Sequence, residues 1–148
     1  MNFPRRAFAL PILFILLTVS SVSIFGQSDR QTVVNIPFDF SVGEKTMSAG
    51  RYIIERNKRD SDTVWTITSK DTGSSRKAFL TIPTHSLDPQ ERTKLVFHRY
   101  ENQYFLAGFS IAGSNTGREL QMSDREKNLG DKLLAQREEV VLTSGRGK

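Results

Sequence analysis

The sequence predicts an all-β domain, either a β sandwich or a partly open barrel of about seven or eight antiparallel strands, with one C-terminal α-helix. Three observations support this fold class. Apolar and polar residues alternate over several short segments, as in strands that bury one face. Turn-forming residues separate those segments. A single stretch near the C terminus is rich in helix-forming residues instead.

Residues 1–26 have the three-part pattern of a secretory signal peptide. Arg5 and Arg6 are followed by an almost wholly apolar run from Ala7 to Val19, and small and polar residues then lead to Gly26. This run of about 13 residues is shorter than the roughly 20 that a bilayer-spanning helix needs. We therefore expect an exported protein, periplasmic or extracellular, without a transmembrane helix after processing. An uncleaved anchor is the alternative.

Cleavage after Gly26 would leave residues 27–148, and these 122 residues fit a single domain. The chain contains no cysteine, so its core has to hold together without disulfides. The net charge is +5 and falls to +3 without the two arginines of the leader, with the positive charges spread along the sequence. Because nucleic-acid binders usually carry a dense basic stripe with stacking aromatic residues, we expect no nucleic-acid partner.

The clearest strand pattern lies between Val34 and Val42, where five apolar residues alternate with polar residues or proline. Pro37 cannot donate a ladder hydrogen bond, which predicts an edge strand or a bulge. After turn residues 43–46, Arg51–Glu55 is predicted to form an antiparallel partner. The free edge is expected to be covered by the C-terminal segment or, alternatively, to accept a partner's strand.

Two more hairpins follow. Residues 63–69 and 76–82 flank a tight turn, and Ala78, Leu80 and Ile82 are expected to face inward. A strongly aromatic hairpin, closing over Glu101-Asn102, is then predicted from Lys94–Tyr100 and Gln103–Ile111.

The predicted helix spans residues 124–138. Ser123 and Glu126 have capping-box spacing, and Leu129 and Leu133 suggest a narrow apolar stripe. Gly130 should weaken the helix by about 1 kcal/mol relative to alanine. A last short strand at 140–142 and a loose tail at 143–148 are expected.

Five side chains are candidate ligand-binding residues: Tyr52, Trp65, His98, Tyr100 and Tyr104. The tyrosines and the tryptophan could line a binding surface, although aromatic residues in strands more often serve as core or cross-strand pairs. His98 shares a strand face with Val96, and the sequence places no orienting carboxylate or nucleophile near it. With two histidines and no cysteine, we predict no metal site, no cofactor and no catalytic residue.

Several segments resemble a group of small exported bacterial proteins of unknown function. The matching segments are Ile36-Pro-Phe-Asp-Phe-Ser-Val-Gly43, Ala49-Gly-Arg-Tyr-Ile53, Leu95-Val-Phe-His-Arg-Tyr100, Tyr104-Phe-Leu106 and Gly117-Arg-Glu-Leu120. Ser48 stands where the pattern of the group has proline. The resemblance implies a β-rich exported domain and carries no activity.

The leading hypothesis is therefore an exported, non-catalytic binding or envelope-associated module. Its partner would be another envelope protein or a small apolar ligand. One alternative is a carrier of small hydrophobic ligands with a barrel cavity rimmed by Tyr52, Trp65 and Tyr104. A second alternative is a weak hydrolase that uses His98.

Overall fold

The computed structural model describes residues 32–57, 62–133 and 137–144. The predicted signal peptide lies outside the described residues, as do positions 145–148 of the predicted tail. Across the described ranges, no helix has the length and apolar character needed to cross a membrane. The predicted fold class, all-β with one C-terminal helix, is confirmed.

The described chain contains ten strands and one helix, more strands than predicted. Their bounds are β1 Thr32–Ile36, β2 Phe40–Val42, β3 Lys45–Met47, β4 Gly50–Arg56, β5 Val64–Ser69, β6 Arg76–His85, β7 Lys94–Tyr100, β8 Gln103–Ser110, β9 Thr116–Leu120, α1 Asp124–Leu133 and β10 Arg137–Thr143.

All ten strands belong to one open, mixed sheet in the order β1-β4-β5-β6-β9-β8-β2-β3, with β7 on the other edge of β8 and β10 beyond β7. The long strand β6 connects the two halves, because its first half pairs with β5 and its second half with β9. β2 and β8 are parallel, whereas the other paired strands are antiparallel.

The predicted first strand is divided at Pro37 into β1 and β2. Proline has no N–H for a ladder, and the chain turns away after it, so that β2 and β3 form a hairpin between the paired strands β1 and β4. The side chain of Asp39 accepts a hydrogen bond from the Ala49 N–H at 2.8 Å, which joins the two ends of the segment that contains this hairpin. The C-terminal strand β10 pairs with β7, so the prediction that it covers the edge of β1 is wrong.

The hairpin of β5 and β6 is confirmed, but the predicted inward face of β6 is wrong. Cross-strand partners share a face, and Phe79 lies opposite Trp65; both are buried in the core. Leu80 and Ile82 therefore lie on the opposite, outer face, where they are 63% and 51% exposed. The aromatic hairpin of β7 and β8 is confirmed, with Glu101 in its turn at φ 52°.

The inner face of the sheet carries a packed core in which aromatic rings from distant strands meet edge to face. Phe40 contacts both Tyr52 and Phe97 in this way, with ring centroids 5.2 and 5.7 Å apart. Burying each such side chain contributes roughly 1.5–3 kcal/mol. The buried cluster consists of Val34, Ile36, Phe40, Val42, Met47, Tyr52, Ile54, Trp65, Ile67, Phe79, Leu95, Phe97, Leu106 and Phe109.

Helix α1 lies on the outer face, against β7 and β8. Ser123 Oγ accepts a hydrogen bond from the Glu126 N–H at 3.1 Å, as the capping pattern predicts. The helix ends at Leu133 rather than at 138, because the chain from Arg137 onward pairs with β7. Among residues 124–132 the buried positions are Glu126 and Gly130, whereas Leu129 of the predicted apolar stripe is half-buried.

Candidate functional site

A groove of about 520 Å³ crosses the outer face of the sheet where β7, β8, β9 and the end of β6 meet. Ligand sites usually have volumes of roughly 300–1,000 Å³. Its walls combine polar and apolar side chains, and it contains both histidines of the chain. The residues that line it include Thr84, His85, Val96, His98, Gly108, Ser110, Gly117, Glu119, Met122 and Glu139.

Two glycines form the floor of this groove, Gly108 on β8 and Gly117 on β9. A Cβ atom at Gly108 would lie 2.9 Å from the backbone oxygen of Arg118, and one at Gly117 would lie 2.7 Å from the Thr84 Oγ1. Neighbouring strands therefore approach here at a distance that a side chain would obstruct. The absence of side chains from these two positions also leaves the middle of the groove open.

His98 lies at one end of the groove and is held by a carboxylate from α1. Its Nδ1 is 2.7 Å from Oε1 of Glu126, and the two side chains are 19% and 4% exposed. Burying a carboxylate is costly unless it is paired, and this pairing accounts for a buried Glu126. Glu139, the cross-strand partner of His98 on β10, is exposed and adds a second carboxylate at this end.

Arg125, next to Glu126, fastens the start of the helix to β3 and β8. Its guanidinium donates hydrogen bonds to Thr46 Oγ1 at 3.2 Å and to Gln103 Oε1 at 2.9 Å. Its backbone N–H donates to Glu44 Oε1 at 3.3 Å. The guanidinium carbon lies 5.7 Å from the ring centroid of Phe105, within cation–π range.

Tyr52, one of the predicted ligand-binding residues, is a core side chain. It is buried, and its hydroxyl donates a hydrogen bond to the Ser48 carbonyl at 2.5 Å. Burial raises the pKa of this hydroxyl above its ordinary value, and the negative charges of Asp39 and Asp71 raise it further. The hydroxyl therefore stays neutral and acts as a donor that closes the turn before β4.

The other aromatic candidates are also packed against protein side chains. The Trp65 ring meets Phe109 edge to face at 4.9 Å, and the Tyr104 ring stacks on Phe38 at 3.9 Å. Tyr100 lies under α1. Of the five predicted residues, His98 is the one that lines the groove.

Sequence reasoning missed the glycine floor, the orienting carboxylate and strand β9. The capping-box spacing did identify Glu126, but as a residue that turns back to its own helix terminus. The sequence places no carboxylate near His98, whereas helix α1 supplies one. Within the described ranges, no group of three or more His, Asp or Glu side chains is arranged to hold a metal ion.

Comparison of the chain with protein-family models, with curated proteins and with solved structures gives no match.

Proposed function

We propose that this protein is an exported, non-catalytic binding module whose ligand occupies the groove on the outer face of the sheet. The observation that carries the proposal is the groove itself, with a volume suited to a ligand and a floor cleared by Gly108 and Gly117. The inner face is filled by aromatic and aliphatic side chains, so the outer face is the better place for a ligand. The groove offers both hydrogen-bonding and apolar walls.

Ser110 is a suitable position for blocking the groove. It lines the groove and lies opposite Gly117, so a larger side chain there would extend over the open floor. Thr68 provides the matched control, since it lies half-buried on the outer face of β5, away from the groove. Ser110→Phe and Thr68→Phe therefore introduce the same side chain inside and outside the proposed site.

The test is a thermal-unfolding screen against a panel of short peptides, sugars and fatty acids. A ligand at one hundred times its dissociation constant should stabilise the protein by about 2.7 kcal/mol. We expect at least one compound to stabilise the wild type and Thr68→Phe but not Ser110→Phe. A panel without any effect, or binding that Ser110→Phe leaves unchanged, would contradict the groove as the site.

Export is tested separately by expressing the full chain in a bacterium and sequencing the N terminus of the protein found outside the cytoplasm. The apolar run and Gly26 lead us to expect a mature chain that starts at Gln27. A protein that stays in the cytoplasm with Met1 intact would refute export.

A second candidate function, a weak hydrolase, is favoured by the hydrogen bond between His98 and Glu126. A carboxylate on Nδ1 fixes the ring and leaves Nε2 available as a general base. Ser110 is the partner of Lys94, four residues from His98 along β7, which is roughly 13 Å in a strand. The nucleophile would therefore be water rather than Ser110.

This candidate is tested with a panel of ester, glycoside and phosphate substrates. His98→Ala should abolish any hydrolysis that the site performs, whereas His85→Ala, at the other histidine of the groove, should retain most of it. Activity that survives His98→Ala would exclude this role for His98.

A further inference from the structure

The first turn of helix α1 is attached to the sheet through polar groups. Its buried positions within 124–132 are Glu126 and Gly130, which are four residues apart and so lie on the same side of the helix. The first carries a charge and the second has no side chain. Arg125 adds hydrogen bonds from its guanidinium to Thr46 and Gln103. Within residues 124–132 the single apolar side chain is Leu129, which is half-buried, so this part of the helix contributes little apolar area to its own docking.

The surface under the helix, by contrast, is aromatic. Tyr100 and Phe105 are about 1% and 2% exposed, and their rings meet edge to face with centroids 5.9 Å apart. A Cβ atom at Gly130 would lie 3.5 Å from the Tyr100 hydroxyl, so the helix backbone lies directly on this ring. Both aromatic residues lie on the outer face, apart from the main core cluster.

This aromatic surface is continuous with the groove through His98. Phe105 is the cross-strand partner of His98, and His98 lines the groove. A ligand that contacts His98 in the groove would therefore lie next to Phe105 on the neighbouring strand. The hydrogen bond between His98 Nδ1 and Oε1 of Glu126 on α1 lies where the groove meets this surface.

We propose that α1 is a displaceable lid over the aromatic pair Tyr100 and Phe105, and that the Glu126–His98 hydrogen bond is its latch. The inference rests on the proposed binding function, because an open lid lengthens the groove and lets an aromatic group of the ligand pack on this pair. When the lid opens, water solvates the released polar groups, which lowers the cost of opening. Strand β10 remains paired with β7 over seven residue pairs, so the proposed movement does not involve β10.

Amide hydrogen exchange on the full chain measures this opening directly. In the wild type we expect the amides of α1 to exchange at least about tenfold faster than those of β5 and β7, as in a local opening rather than global unfolding. If the α1 amides exchanged at the same rate as those of β5 and β7, the proposal would be overturned. This measurement needs no variant and therefore does not depend on whether a substituted protein folds.

Glu126→Gln tests the latch, and Asp124→Asn is its matched control. Both substitutions replace a carboxylate with an amide in the first turn of the same helix, but the Asp124 side chain is 89% exposed and pairs with Lys127 on the helix surface. We expect Glu126→Gln to accelerate exchange of α1 amides at least about tenfold with β5 unchanged. Equal effects of the two substitutions would refute the latch.

The reverse variant replaces the polar latch with an apolar contact, His98→Leu together with Glu126→Leu. Exchanging a buried polar pair for apolar side chains is often neutral or stabilising, so this variant should slow exchange of the α1 amides at least about tenfold relative to wild type. Fluorescence of 8-anilinonaphthalene-1-sulfonate should rise with Glu126→Gln and fall with the double-leucine variant. If neither the exchange rate of the α1 amides nor the dye fluorescence changed, the lid would be contradicted. The Ser110→Phe experiment tests the groove independently of the lid.

Discussion

Replacing Gly130 with alanine should stabilise the protein, even though this glycine lies on the buried side of helix α1, against the Tyr100 ring. Glycine in a helix interior costs about 1 kcal/mol relative to alanine. The new Cβ atom would lie 3.5 Å from the Tyr100 hydroxyl and 3.7 Å from its Cε1, which is ordinary van der Waals contact. The full propensity gain of about 1 kcal/mol should therefore appear in the free energy of unfolding, a rise of roughly 3–5 °C in Tm for a domain of this size.

The same substitution at Gly108 provides the contrast. There the Cβ atom would lie 2.9 Å from the backbone oxygen of Arg118, an atom that cannot move without shifting β9. We expect Gly108→Ala to destabilise the protein by about 1–3 kcal/mol. Urea titrations of both variants and the wild type, followed by far-UV circular dichroism, give the free energies of unfolding on one scale.

The two variants together test the geometry at two places on the outer face of the sheet. Loss of stability in Gly130→Ala would mean that α1 lies closer to Tyr100 than the contact distances indicate, or that position 130 is not helical. If Gly108→Ala left the free energy of unfolding unchanged, β8 and β9 would have to be farther apart than their register requires. The Gly108→Ala result would also undermine the description of the groove, whose floor depends on that close approach.

Three further predictions concern the sheet. Phe79→Ala should cost about 3–5 kcal/mol of unfolding free energy, whereas Leu80→Ala should cost less than about 0.5 kcal/mol; the opposite ranking would reverse the faces of β6. Thr66 Oγ1 is buried without a hydrogen-bond partner in the described structure, so Thr66→Val should be neutral or stabilise by up to about 1 kcal/mol in urea unfolding, and a clear loss would reveal a partner. Hydrogen bonds from the Arg51 backbone N–H, then from its side chain, hold the pKa of Asp71 below its ordinary value. That stabilisation is present above the unfolded pKa of about 4 and is lost as the pH falls through the lower folded pKa. Asp71→Asn should therefore reduce the drop in urea midpoint on acidification from about pH 6 to pH 2, and an unchanged drop would contradict it.

The period of the strands could be predicted from the sequence, but the phase of β6 could not. Both sets of alternate residues contain apolar members, Leu80 and Ile82 in one and Phe79 in the other. The choice is made by the register with β5, which places Phe79 opposite Trp65 in the core. A shift of one residue moves every side chain to the other face. Register depends on the partner strand, so a pattern within β6 alone is insufficient.

Strand β9 illustrates a different limit, because its sequence Thr-Gly-Arg-Glu-Leu has no clear apolar alternation. It is a strand because β6 and β8 lie on either side and satisfy its backbone hydrogen-bonding groups. Strand propensity depends strongly on such neighbours. The groove depends on this strand for Gly117 and Glu119, and it could not have been located before the pairing was known.

The pairing of Glu126 with His98 shows why a local motif gave an incomplete prediction. The capping spacing correctly indicated the helix start, and the Ser123 Oγ does accept the Glu126 N–H. In a capping box the glutamate side chain would turn back to the backbone of the cap residue, but here it reaches a histidine 28 residues away. An apolar pair of similar size would hold the helix at least as well as a buried polar one. Because water can solvate both groups once they separate, a polar contact where the groove meets the aromatic pair suits a helix that opens.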